Sequence, residues 1–91
     1  MAIFLKDPAA VIDYAVDWQA AYLAGQTINS SDWSVVPAGE LAVVTASHDA
    51  GRSTVTLAGG ARGNVYCVTN RVTFSDGRSD ERSLDVRVED R

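Results

Sequence analysis

The chain has 91 residues, 46% of them hydrophobic and 22% charged, which is the size and make-up of one small folding unit. Eight basic against twelve acidic side chains leave a net charge of −4, which argues against the broad cationic surface that non-specific binding to nucleic acid or an anionic membrane requires. One cysteine, Cys67, excludes an internal disulfide framework and a cysteine-based zinc site.

Residues 1–7 read as an N-terminal arm and residues 8–91 as a single domain. The arm carries the apolar cluster Ile3-Phe4-Leu5, ends against Pro8 and has no evident place in a strand alternation. No apolar run approaches the roughly 20 residues that span a bilayer, and Met1 to Lys6 lacks the features of a secretory leader, so a cytosol-like compartment is expected.

Residues 8–23 fit two patterns. Asp7-Pro8 suit a helix start, Val11, Tyr14, Ala15, Trp18 and Tyr22 share a helical face, and Gly25 suits its end. Ile12, Tyr14, Val16 and Trp18 also alternate with Asp13, Ala15 and Asp17, as in a strand.

The remainder predicts short strands. Ile28 and Trp33 to Val36 form one, entered through Asn29 to Asp32; Leu41 to Thr45 form another, between Pro37-Ala38-Gly39 and Ser47 to Gly51. Ser53 to Leu57 alternate with Val55 and Leu57 inward and stop at Ala58-Gly59-Gly60. From Val65, the residues Tyr66, Val68, Val72 and Phe74 fall on one parity, with Asn70 its only polar member. Asp76-Gly77 then predicts a tight type I′ turn, and Leu84, Val86 and Val88 alternate with charged residues to close a C-terminal hairpin. Strands at this spacing predict an all-β sandwich or barrel.

The sequence offers little for chemistry. His48 stands between Ser47 and Asp49, yet neighbours in an extended loop cannot converge on one reacting atom. Asp13 and Asp17 on a strand lie about 13 Å apart, too far to share a metal ion. The Gly59-Gly60-Ala61-Arg62-Gly63 loop lacks the Lys-Ser/Thr ending and following helix of a phosphate cradle. Cys67 has no histidine neighbour, and Trp18 and Trp33 read as core aromatics. No catalytic, cofactor-binding or metal-binding residue is therefore assigned, and a non-enzyme is expected. The charged run Arg78-Ser79-Asp80-Glu81-Arg82 reads as a solvated face, a set of ion pairs with Arg71, or a subunit contact. Ile3, Phe4, Leu5, Arg78, Asp80 and Arg82 are the candidate partner contacts.

Three stretches together resemble one family. They are Lys6-Asp7-Pro8 leading into Ile12-Asp13-Tyr14-Ala15-Val16-Asp17-Trp18; Thr27-Ile28 with Ser30-Ser31, Trp33 and Val35; and Tyr66 with Val68-Thr69-Asn70-Arg71-Val72-Thr73, followed by Ser75, Gly77-Arg78 and Asp80-Glu81-Arg82-Ser83. This pattern is similar to the small virion proteins of tailed bacteriophages that act as fiber–tail adaptors. The resemblance implies an immunoglobulin-like β-sandwich of about seven antiparallel strands in the phage tail or its fiber attachment, without enzymatic activity. It favours a strand over residues 11–18 and a short helical turn over Gln19 to Leu23. Tyr66, opening the penultimate strand after a turn at Gly63, has the placement of a tyrosine corner.

The partners expected are other phage structural proteins, in a symmetric homo-oligomeric assembly made in the host cytoplasm and located in the virion. The arm is expected to dock on an adjacent subunit. The alternatives are a capsid decoration protein, or a carbohydrate- or host-surface-binding module, for which Trp18, Trp33 and Tyr22 would have to be exposed.

Overall fold

The computed structural model describes residues 3–18 and 26–89. Seven strands and no helix occur among them: β1 (Ile3–Lys6), β2 (Val11–Asp17), β3 (Ile28–Val36), β4 (Leu41–His48), β5 (Arg52–Gly59), β6 (Val65–Phe74) and β7 (Ser79–Val88). They form two sheets, of order β1-β7-β6-β3 and β2-β5-β4, packed as a sandwich. The all-β architecture expected from the strand spacing is the one observed. Residues 11–17 are a strand, and the helical turn expected at Gln19 to Leu23 lies outside the described residues.

Strand parity explains the core. Tyr66, Val68, Asn70, Val72 and Phe74 of β6 are buried, as are Leu84, Val86 and Val88 of β7, while their alternates face outward. The opposing sheet contributes Val55 and Leu57 of β5 and Tyr14 and Val16 of β2. Each such aliphatic side chain contributes about 1.5–3 kcal/mol when fully buried. The core divides into a larger cluster around Leu57, Tyr66 and Val86 and a smaller one around Trp18, Ile28 and Phe74, and Trp33 packs against both. In the smaller cluster Trp18 meets Phe74 edge to face, with ring centroids 5.8 Å apart.

The inward polar position is accounted for. Asn70 accepts the Trp18 indole N–H at 2.9 Å and donates its own amide to Ser31 Oγ at 2.9 Å and to the Asp32 carbonyl at 3.1 Å. Tyr66 is also fully buried; its hydroxyl accepts the Ala61 N–H at 2.7 Å and donates to Glu40 Oε1 at 2.9 Å. The bond to Ala61 is the backbone contact a tyrosine corner makes.

Two expectations need correction. Residues 3–6, read as part of an arm outside the strand alternation, form β1, which pairs in parallel with β7 from Ile3 opposite Asp85 to Lys6 opposite Val88. The strands are therefore not all antiparallel. The physical reason is side-chain parity: Phe4 and Lys6 turn inward, Phe4 to meet Tyr14 edge to face at 5.2 Å. Lys6 becomes fully buried, its ammonium donating to the Gly59 carbonyl at 2.7 Å and the Asp7 carbonyl at 3.0 Å. The first of these bonds ties β1 to the end of β5 in the opposite sheet.

The turn between β6 and β7 is also not type I′, which needs two residues with positive φ. Only Gly77 has one there, at +89°, and Asp76 does not. The Gly77 N–H donates to the Phe74 carbonyl at 3.0 Å and the Phe74 N–H to the Arg78 carbonyl at 2.7 Å. Three residues, 75 to 77, thus make the reversal, with glycine in the left-handed position of a bulged turn.

Candidate interaction surfaces

The residues singled out in the sequence fall on three places. Ile3 and Leu5 lie on the outer face of the four-stranded sheet, in register with Asp85 and Arg87. Phe4 and Arg82 meet at a groove of about 270 Å³ between β1, β7 and β2, which Ala15, Val16, Asp17 and Leu84 also line. The Arg82 guanidinium stands 5.0 Å from the Trp18 ring centroid, within reach of a cation–π attraction. Arg78 and Asp80 stay at the turn end. Arg78 Nε lies 3.4 Å from Asp76 Oδ2, and Asp80 accepts the neighbouring Glu81 N–H at 2.7 Å. The expected pairing of this run with Arg71 is present as an exposed Arg71–Glu81 contact at 4.0 Å, a geometry that contributes little to stability.

Titratable groups are placed structurally. Among the described residues no three His, Cys, Asp or Glu side chains group as a metal site would need. His48 is exposed at the end of β4, and Cys67 is half-buried, 3.9 Å from Thr69 Oγ1. Asp49 accepts the N–H groups of Gly51 and Arg52 at 2.9 and 2.8 Å, and these bonds hold its carboxyl below the usual range. Burial pushes the Lys6 ammonium down, with the adjacent Asp7 carboxylate opposing the shift. Trp18 is fully buried and Trp33 half-buried, so neither offers an exposed aromatic platform for a sugar, and Tyr22 lies outside the described residues.

Sequence reasoning missed Val36, Val65 and Cys67 as surface residues of interest. They project from the same sheet face as Ile3 and Leu5. Val65 and Cys67 are visible as apolar members of the outward parity of β6, but their neighbours come from distant strands that only the register identifies.

Residues 6–87 match the sequence model of the family described as Gp77, Podophage GP4 fiber-tail adaptor protein gp77. The chain belongs to this family. The match spans β2 to β6 and nearly all of β7, so the two sheets and the groove of this fiber-tail adaptor family member lie largely within it. The family description supports a structural role in the phage tail, at the attachment of fibers. Among curated proteins no match was found.

Proposed function

We propose that the chain is a non-enzymatic virion protein that joins other phage structural proteins at the junction of tail and fiber. The observation that carries this reading is the family match over residues 6–87. An immunoglobulin-like assignment of the sandwich is supported by its connectivity. Lettered A to G in chain order, the strands read A-G-F-C and B-E-D, which keeps the C-F-G and B-E-D neighbours of that fold. Such a sandwich presents strand edges and flat sheet faces, the surfaces on which adaptor proteins assemble.

The contacts we assign to partners are Ile3 and Leu5 on the outer sheet face, Phe4 and Arg82 at the groove, and Arg78 and Asp80 at the β6–β7 turn. The protein would be made in the host cytoplasm and carried in the particle. The deciding experiment is quantitative mass spectrometry of purified particles, combined with electron microscopy of particles labelled on this protein. A copy number that is a small multiple of the tail symmetry, with label at the fiber base, is expected. Label over the capsid lattice at much higher copy number would replace this reading with capsid decoration.

A further inference from the structure

We propose that the free edge of β4 takes up an extended segment of another phage structural protein as a fourth strand of the β2-β5-β4 sheet. The segment matches the 8 residues of β4 in length, is uncharged where it pairs and is basic at its ends. The inference deepens the adaptor reading and rests on it only for the class of partner.

β4 is the least defended edge of the sandwich. Among the described residues β1, β2, β3 and β4 are the edge strands. Charges and short length keep unwanted strands from an edge. β1 has 4 residues and ends in Lys6, β2 carries Asp13 and Asp17, and β3 carries Asp32. Leu41 to His48 of β4 include no Asp, Glu, Lys, Arg or Pro. Val43 and Val44 are 40% and 54% exposed there.

The backbone shows what this edge accepts. At one end of the β4–β5 pair the Gly60 N–H donates to the Glu40 carbonyl at 3.0 Å, and at the other the Asp49 N–H donates to the Arg52 carbonyl at 2.9 Å. Bonded and unbonded pairs alternate along an antiparallel ladder. Counting inward from both ends, with Val44 as the extra residue of the register shift, leaves Leu41, Val43, Ala46 and His48 at unbonded positions. Their N–H and C=O groups point away from β5, a row of donors and acceptors that an extended backbone satisfies.

The side chains agree. Val43, Ala46 and His48 stand opposite Leu57, Val55 and Ser53, which are fully buried, yet all three are exposed. The inward side of β4 therefore lacks cover, and a neighbouring strand would set apolar side chains beside Val43 and Ala46. The sheet would then have four strands, as the opposite one does.

Charge selects the occupant. Exposed Glu40 and Asp49 bound the strand at its two ends, while Arg52 stands one strand further in, in register with Asp17 of β2. A second copy fits poorly. Only one antiparallel register sets all the unbonded residues of two β4 strands opposite one another, Leu41 to His48 and Val43 to Ala46, and it puts Glu40 opposite Asp49 at both ends. Like charges so placed are unfavourable. A segment with Lys or Arg at its ends turns the same two carboxylates into attractions.

Particles of a phage lacking this gene, supplied with wild-type or variant protein in trans, test the proposal by quantitative mass spectrometry of the purified particles. Ala46→Pro removes an edge-facing N–H and spares the β5 ladder, and Val43→Lys puts a charge on the edge. Each is expected to lower incorporation at least tenfold. Glu40→Gln, which keeps the oxygen that Tyr66 bonds, is expected to lower it several-fold, and Thr54→Lys, on the outward side of β5, to leave it unchanged. Melting curves identify any variant that fails to fold, and either edge variant alone carries the test. In wild-type particles, amide hydrogen exchange over residues 41–48 is expected to be at least tenfold slower than in the isolated protein. Normal incorporation of a folded edge variant overturns the proposal, as does exchange that assembly leaves unchanged or an equal loss with Thr54→Lys. So does an isolated wild type that sediments as a dimer and becomes monomeric with Val43→Lys, which would give the edge to a second copy. The position of label on particles tests the adaptor reading separately, since these readouts hold wherever the protein is incorporated.

Discussion

The indole N–H of Trp18 is bonded to the side-chain oxygen of Asn70 across 52 residues of sequence, at 2.9 Å and wholly out of water. Asn70 also holds β3 through Ser31 and the Asp32 carbonyl, so one amide joins the end of β2 to β6 and β3. Asn70→Leu keeps the size but leaves the Trp18 donor unpaired, and an unsatisfied buried donor costs about 1–3 kcal/mol. The lower denaturation midpoint is expected to come with a change in tryptophan fluorescence. The double variant Trp18→Phe with Asn70→Leu is expected to lose less than the sum of the single changes.

Tyr66→Phe removes only the hydroxyl that joins Ala61 to Glu40. The ring stays buried, and the loss of two hydrogen bonds is expected to lower stability by about 1–3 kcal/mol in chemical denaturation. Tyr66→Ala adds a cavity and is expected to cost about 3–5 kcal/mol, a large share of the stability of a domain this size.

Removing residues 1–6 is expected to lower the melting temperature, because it strips β1 from β7 and deletes the Lys6 bond to Gly59. Incorporation of the truncated protein into particles then reports on the proposed partner contacts at Ile3, Phe4 and Leu5 only at a temperature where the truncated domain is folded. A melting temperature equal to wild type would show that β1 contributes nothing to the fold.

Lys6 gives the domain a pH dependence of known sign. Its folded pKa is below the ordinary lysine value, so burying the ammonium opposes folding in full at pH below the folded pKa. Between the folded value and the unfolded value of about 10.4, the unfolded chain holds a proton that the folded chain has released, and stability rises with pH. Lys6→Met is expected to lack that rise when midpoints are compared between neutral and alkaline pH.

Gly60 has φ of +96°, and a Cβ there would lie 2.6 Å from Val88 Cγ2. Gly60→Ala combines a strained backbone with a core clash and is expected to destabilise the domain by about 1–3 kcal/mol. Gly63 also has positive φ, at +86°, but open space around it. Gly63→Ala is expected to cost less in the same denaturation assay.

The inward faces of β2, β5, β6 and β7 are legible because burial on one side writes a period of two directly into the chain, and Asn70 stands out as the polar member of an apolar row. The place of β1 is not legible. Four residues carry too little periodicity, and the partner of Ile3 is 82 positions away at Asp85. Composition locates the turn at Asp76-Gly77 but does not fix its geometry, since Asp-Gly serves a two-residue turn and a bulged three-residue one alike. Residue type marks Ile3, Leu5 and Arg82 as candidate contacts without revealing the company they keep. Joining Ile3 to Val36 requires the order of four strands, which no local pattern encodes.

The parallel pairing of β1 with β7 has a mechanical consequence. Tension between residue 3 and residue 88 pulls the two strands past each other along their length. The bonds linking Ile3–Lys6 to Asp85–Val88 are then loaded in shear and must yield together, whereas an antiparallel pair pulled from its open end would unzip bond by bond. Tension applied at these two residues would therefore meet the strand pair best oriented to resist it, a property suited to the fiber-tail adaptor role of the family.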